Sequence, residues 1–331
     1  MSRKMRTGIE RWPLATPFRI SRGVKTVAEV VSVELRDGNH VGRGESVPYA
    51  RYGETSLSVE AQLSSVVHAV ARGASRSDLP TMLPPGAARN ALDCALWDLE
   101  AASSGRSVSE VTGWGEPDPI VTALTVSLDT PEKMSAAAAA MGDADLIKIK
   151  VDASAPDLAI RAVRAAAPHA RLIVDPNESW DLALLAAIQP LLTELRVDFV
   201  EQPLPAGEDA GLEGFVAQVP ICADESCHTA DDLEVLSRRY QMINIKLDKT
   251  GGLTGALELY AAARARNFGV MVGCMVSTSL SIAPALHVAA RADYVDLDGP
   301  LWLATDRPGG VTMQSGKMVR PDPGFWGAAA R

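Results

Sequence analysis

From residue 120 onward the chain repeats itself. Short apolar runs begin near 121 ("IVTALTVSL"), 146 ("LIKIKV"), 172 ("LIVDPN"), 197 ("VDFVEQP"), 220 ("PICADES"), 242 ("MINIKLD"), 270 ("VMVGCM") and 294 ("YVDLDGP"). Successive starts differ by 25, 26, 25, 23, 22, 28 and 24 residues. Between them lie Ala- and Leu-rich stretches with helical spacing, such as "SAPDLAIRAVRAAAPHA" and "TGALELYAAARARNFG". Near-continuous apolar strands alternating with helices require a parallel sheet covered on both faces. Eight such units at an even period predict a (β/α)8-type barrel over 120–301. A doubly wound open sheet is the competing arrangement, and it rarely runs to eight even units.

Residues 1–119 lack this period. "VVSVELRDGNHVGRGESVP" reads as strand, "DGN" turn and strand. "GAARNALDCALWDLEAASSG" reads as a helix with Ala91, Leu92, Ala95, Leu96 and Leu99 on one face. An α+β domain therefore precedes the barrel. The Gly/Pro-rich tail from about 302 to 331 is expected to return to that first domain.

The chain has 331 residues and a net charge of −9, which disfavours a nucleic-acid or anionic-membrane partner. No apolar run reaches the ~18 residues of a membrane span. The N-terminus has no apolar stretch of the kind a secretory signal needs, so a cytoplasmic protein is expected. The four cysteines form no C-x-x-C pair. "CADESCH" offers too few well-spaced ligands for a closed zinc site. Reduced thiols are the expectation.

Barrel enzymes carry their chemistry at the C-terminal strand ends. In order, those ends supply Lys148 and Lys150, Asp175 and Asn177, Glu201 and Gln202, Asp224 and Glu225, Lys246 and Asp248, then Asp296 and Asp298. Folding gains little from so many buried ions. Asp175, Glu201 and Asp224 fall on three successive strands, which lie ~4.8 Å apart. Three converging carboxylates with no His or Cys suit one Mg²⁺.

Lys150 and Lys246 lie four strands apart in an eight-strand ring, so they should face each other. A carbon between them could lose a proton to one lysine and regain it from the other on the opposite face. That is the geometry of racemisation or epimerisation. The enolate of a C–H beside a carboxylate needs strong electrostatic stabilisation, which a bound cation supplies. Lys150 is read as a base, and Lys148 as the neighbour whose charge lowers its pKa.

"KIK", "DPNESW", "EQPLP", "CADES" and "NIKLDKTGG" resemble the motifs of the enolase superfamily, in its muconate lactonizing subgroup. The resemblance spans essentially the whole chain, including "RYGET" and "GAARNALDCALWDLE" in the first domain. It implies a modified (β/α)7β TIM-type barrel under an α+β capping domain. It also implies Asp175, Glu201 and Asp224 as metal ligands, Lys150 and Lys246 as acid/base residues, and Lys148 as helper.

The strand-eight "DLD" resembles the D-x-D of dipeptide epimerases, in which two aspartates hold the substrate's α-ammonium. Asp296 and Asp298, two residues apart on one strand, would face the same side. Similarity runs furthest to the L-Ala-D/L-Glu epimerase group. "ISRGV" matches a loop that closes over the site there, and Arg22 is expected to meet the glutamate side-chain carboxylate. Thr125, Ser277 and Thr278 are expected pocket-wall residues.

The implied activity is Mg²⁺-dependent epimerisation at the Cα of a dipeptide's second residue, in recycling or degrading cell-wall peptides. The implied partner is a small dipeptide, with no nucleic acid and no membrane, and a homo-oligomer is compatible. The alternatives are an N-acylamino-acid racemase, a cycloisomerase, an o-succinylbenzoate synthase or an epimerase of other dipeptides. "DLD" argues against substrates without a free ammonium. A Schiff-base aldolase and a non-catalytic binding protein are more distant rivals, disfavoured by the three-carboxylate, two-lysine set.

Overall fold

The computed structural model describes residues 3–117 and 119–328, so the expected segments 1–119 and 302–331 include residues outside the described ones. The first part of the chain forms an antiparallel sheet of β1 (Lys4–Ile20), β2 (Gly23–Asp37) and β3 (His40–Ser46), in that order. The expected hairpin is β2–β3. Asp37 pairs with His40, leaving a two-residue turn in which Gly38 has φ 58°. β1 is an additional strand. Its pairing slips between Pro13 and Phe18, where Pro13 and Pro17 lack the N–H a ladder needs.

Two helices cover this sheet, α1 (Ser56–Ala71) and α2 (Ala87–Ser104). α2 ends at Gly105 with φ 68°, and its expected apolar face packs on Val31, Val33 and Leu35. β3 comes unusually close to α2. A Cβ on Gly44 would lie 2.1 Å from the Ala91 carbonyl oxygen, so only glycine permits the approach.

The repeat forms eight parallel strands: β4 (Leu124–Val126), β5 (Leu146–Lys150), β6 (Arg171–Asp175), β7 (Val197–Glu201), β8 (Ile221–Ala223), β9 (Met242–Ile245), β10 (Gly269–Gly273) and β11 (Tyr294–Asp296). Neighbours in sequence are neighbours in the sheet throughout. At the seam between β11 and β4, Ala123 N–H donates to the Val295 carbonyl (2.8 Å), and Leu297 N–H donates to Thr122 Oγ1 (2.8 Å). The ring is thus nearly closed.

Helices α3 (Pro131–Ala140), α4 (Pro156–Ala166), α5 (Leu182–Glu194), α6 (Leu253–Ala265) and α7 (Ser279–Ala289) pack outside. The β7–β8 connection departs from strict alternation. It holds a single 3₁₀ turn, Asp209–Leu212, in a stretch punctuated by Pro203, Pro205, Gly207 and Gly214. The even spacing of strands therefore does not require a helix in every interval.

Strand alternation divides the barrel's side chains into layers. Ile147 and Ile149 point outward into the core shared with the helices. Inside, Ala123, Leu146, Ile173, Phe199, Cys222, Met242 and Met271 form an apolar floor. Two residues further along the same strands come Thr125, Lys148, Asp175, Glu201, Asp224, Asn244 and Gly273. The fold thus supports a polar layer on an apolar plug.

The tail returns to the first part of the chain. Trp326 Nε1 donates to the Arg43 carbonyl (3.0 Å), and Gly327 N–H donates to Asp98 Oδ1 (2.7 Å). Beneath Trp326, His287 of α7 is buried, 3.5 Å from Ser109 Oγ. Burial lowers its pKa to about 4. The unfolded imidazole takes its proton near pH 6.5, so between these values the unfolded chain binds more protons and stability falls as pH falls. From pH 7 to pH 5 this group alone costs about 2 kcal/mol. Urea unfolding of the parent and of His287→Asn across that range should diverge by this amount, with the variant flatter. Parallel curves would refute a neutral buried His287.

Candidate active site

The polar layer opens into a cavity of about 480 Å³ between the barrel mouth and the first sheet. Among its lining residues are Thr125, Lys148, Lys150, Asp224, Lys246, Asp296 and Asp298. Arg22, Lys25, Tyr49 and Tyr52 close it from the N-terminal side.

Lys148 is 1% exposed and stands at the centre of the charge network. Its Nζ lies 2.6 Å from Glu201 Oε2, 2.8 Å from Asp296 Oδ2 and 3.1 Å from Asp175 Oδ2. Burial opposes its charge, but Asp296, Glu201 and Asp175 outweigh that and hold the ammonium well above its ordinary pKa. Lys150 Nζ meets Asp175 Oδ2 at 2.5 Å. Across the ring, Lys246 Nζ meets Asp224 Oδ2 at 2.6 Å. Lys246 is raised too, because Asp224 and Glu201 overcome its desolvation.

Burial pushes Asp175 up, yet Lys150 and Lys148 hold it at about 2. Burial and the neighbouring Asp175 raise Glu201 to about 7, against the pull of Lys148. Asp224 is driven well below the usual carboxylate range by Lys246 and Lys249, against its burial.

Asp175, Glu201 and Asp224 sit at the ends of adjacent strands, as expected. Among the described residues, however, no three acidic, His or Cys side chains are drawn together as a ready cation cage. Ammonium groups occupy the carboxylates instead. The donor set still fits a hard divalent cation. It is all oxygen, and Glu201 Oε2 is buried with the Lys148 ammonium 2.6 Å away as its ion-pair partner, so a cation is already what this oxygen faces. The elevated Glu201 marks a place where positive charge would be welcome.

Asp296 and Asp298 both face the cavity, as expected, but only the first of them belongs to the strand. β11 ends at Asp296, and Asp298 begins a 3₁₀ turn, Gly299–Trp302. Asp296 is committed to Lys148 through Oδ2, and its buried Oδ1 has no partner. Asp298 accepts from the Thr125 N–H (2.8 Å) and the Trp302 indole (3.3 Å). Burial beside Asp296 raises its pKa to about 6. Thr125 thus contributes a backbone donor to the site.

Ser277 and Thr278 do not line the cavity. Cys274, Met275 and Val276 make that wall. Thr278 turns away, and its hydroxyl donates to Glu45 Oε2 (2.6 Å). Asp248 likewise faces the first sheet, accepting from Val47 N–H (2.9 Å) and Asn90 Nδ2 (2.7 Å). The "CADESCH" cysteines point apart, Cys222 into the barrel floor and Cys227 into the outer core.

Several site residues escaped the sequence reading. Lys249 is buried and donates to Asp224 Oδ1 (2.6 Å) and to the Asn244 carbonyl (2.9 Å). Asn244 Nδ2 donates to Glu201 Oε1 (2.8 Å). "NIKLDKTGG" contains both, and the period-2 pattern places Asn244 inward. Tyr52 Oη is buried without a hydrogen-bond partner. Lys25 contacts the Tyr49 ring at 5.0 Å and forms no ion pair in the described structure, although burial and Lys246 lower its pKa. Arg22, by contrast, has both terminal nitrogens engaged with protein acceptors.

Residues 2–113 match the N-terminal domain of mandelate racemase / muconate lactonizing enzyme, and residues 131–325 match the enolase C-terminal domain-like family. The chain belongs to the mandelate racemase / muconate lactonizing enzyme family. It is 49% identical to the L-Ala-D/L-Glu epimerase of Escherichia coli K12, over 93% of this chain and 97% of that protein. It is 45% identical to an N-acetyl-D-glutamate racemase from a Pseudoalteromonas species, over 91% and 96%. A solved enolase-family structure from Agrobacterium tumefaciens, described as homologous to dipeptide epimerases and carrying sodium and L-Ala-L-Glu, superposes with a TM-score of 0.95. It is 48% identical and covers 98% of this chain and 100% of its own.

Replacing Lys148 by Met would leave three buried carboxylates short of a counter-charge. Stability should fall by about 3–5 kcal/mol, and Mg²⁺ should restore more of it in the variant than in the parent. Denaturant unfolding with and without Mg²⁺ reads both. A variant as stable as the parent would show that Lys148 does not hold the cluster together.

Proposed function

We propose that this protein is a Mg²⁺-dependent dipeptide epimerase, with L-Ala-L-Glu and L-Ala-D-Glu as substrates. The observation that carries the reading is the pair of cavity lysines, Lys150 and Lys246, on strand ends four positions apart, above the carboxylates of Asp175, Glu201 and Asp224. The three carboxylates would hold the cation, which when bound stabilises negative charge developing on the substrate carboxylate.

The chain's own residues do the rest. Lys150 and Lys246 flank Cα on opposite faces: the one that is neutral takes the Cα proton, and the other, as an ammonium, delivers one of its own to the opposite face. Lys148 keeps Glu201, Asp175 and Asp296 fixed. The unpartnered Asp296 Oδ1, with Asp298 behind it, would receive the substrate ammonium. Lys25, a cavity cation with no ion pair among the described residues, is the better placed group for the glutamate side-chain carboxylate.

Residues 1–119 with the tail would cap the barrel residues 120–301. The four free thiols suit the cytoplasm, and a cell-wall peptide is a natural source of the dipeptide. A homo-oligomer is compatible with a site built within one chain. The second reading is N-acylglutamate racemisation, favoured by the similarity to the Pseudoalteromonas racemase. It shares the glutamate but lacks the ammonium.

Proton NMR in D₂O with Mg²⁺ separates the two. L-Ala-L-Glu should lose its Glu Cα–H signal and yield the epimer, while N-acetyl-D-glutamate should turn over far more slowly. The reverse order would favour the second reading. Lys150→Ala and Lys246→Ala should each lower epimerisation by about 10²–10⁴-fold. Substantial turnover in both variants would refute the two-base mechanism. Lys25→Gln should raise KM for L-Ala-L-Glu more than for L-Ala-L-Gln, and equal effects on the two would remove Lys25 from side-chain recognition.

A further inference from the structure

The 3₁₀ turn after β11 closes on the residue that begins it. The Leu301 N–H donates to the Asp298 carbonyl (2.9 Å), and the turn ends at Trp302. From there the indole Nε1–H reaches back to the Asp298 carboxylate (3.3 Å). The Thr125 N–H approaches the same carboxylate from β4 (2.8 Å). Both donors meet one oxygen, Oδ2, and Oδ1 accepts from neither. A carboxylate held in this way has one oxygen fixed by the protein and the other turned away from those donors.

Trp302 is itself held in place. The Phe18 ring of β1 meets it edge to face, with centroids 4.7 Å apart at 75°. Val276 and Leu303 complete an apolar cluster with these two rings. The Ala304 N–H, two residues on, donates to the Pro13 carbonyl (2.9 Å). Packing therefore fixes the direction in which the indole N–H points. An indole is a donor only, so it offers no oxygen that could draw an ammonium away from Asp298. Asp298 is buried beside a second carboxylate, Asp296, and donors to the charged form matter most where like charges crowd. The Thr125 donor is backbone and survives any side chain there. The indole is the donor that the sequence selects.

We propose that Trp302 is a positioning residue for the amino end of the substrate: its indole holds Asp298 Oδ2 so that Oδ1 is presented to the ammonium. The assignment rests on the dipeptide reading. On it, the indole N–H acts on ligands that carry a free ammonium and is indifferent to those that do not.

Trp302→Phe keeps a ring in the cluster and removes the N–H. Calorimetry on the whole chain with Mg²⁺ compares L-Ala-L-Glu with N-propanoyl-L-glutamate, the same molecule without its ammonium. The variant should bind the dipeptide about tenfold more weakly, the weight of one hydrogen bond to a charged group, and bind the propanoyl compound as the parent does. In turnover of L-Ala-L-Glu the loss should fall on KM and leave kcat nearly unchanged. In an Asp298→Asn background, Trp302→Phe should weaken dipeptide binding no further. Equal losses on both ligands would overturn the assignment, because the indole would then only pack the cavity wall. Unaltered dipeptide binding, or full additivity with Asp298→Asn, would overturn it as well. If the parent bound the two ligands equally, the ammonium site of the dipeptide reading would fail instead. The indole proton then decides the contact without any substrate. The Nε1–H resonance missing from Trp302→Phe should shift in Asp298→Ala, and an unmoved resonance would remove the hold of Trp302 on Asp298.

Discussion

One ammonium organises the barrel mouth. Lys148 reaches carboxylates on β6, β7 and β11, so a single side chain on β5 ties together strands from both sides of the seam. Buried acids of like charge within a few ångströms repel strongly in a low dielectric. Lys148 is the cation that meets Asp175, Glu201 and Asp296 together in one layer. The apolar floor below Lys148 excludes water, which strengthens both the repulsion and its remedy.

The remaining charges follow the same logic. Asp224 is clamped between Lys246 and Lys249, and Asp175 between Lys148 and Lys150. Nearly every strand contributes one charged or amide side chain to the layer, and β10 contributes Gly273. A Cβ there would come within 2.7 Å of Asn244 Oδ1, so the glycine lets Asn244 keep its place against Glu201. The site is therefore specified partly by an absence of side chain.

How much of this was legible beforehand depended on whether a signal was local. The strand period announced the barrel, and alternation within "LIKIKV" and "LIVDPN" announced which residues face inward. Those rules act over a few residues, so Lys148, Lys150 and Asp175 could be placed from the sequence. Period two continues in the sequence past the true end of β11, where the chain turns, so Asp298 reads as a strand residue although it is not one. The engagement of Arg22 and the freedom of Lys25 had no local signature. The first depends on the β1–β2 turn meeting Asn177, Glu178 and Glu225, more than 150 positions away. Thr278 looked like a wall residue because nothing in its neighbourhood announces Glu45.

The network that captures Thr278 bears on modularity. Glu45 of β3 is fully buried, and Arg307 of the tail donates to it (2.8 Å), to Glu10 of β1 (2.8 Å) and to Thr278 Oγ1 (2.8 Å). One guanidinium thus rivets the opening strands, the closing segment and the loop carrying Cys274, Met275 and Val276. The wall of the cavity inherits its shape from a joint outside the barrel. Transplanting the opening strands from a relative would bring in one part of this joint without the others. Retuning specificity by exchange of parts requires the chain's two ends to travel together.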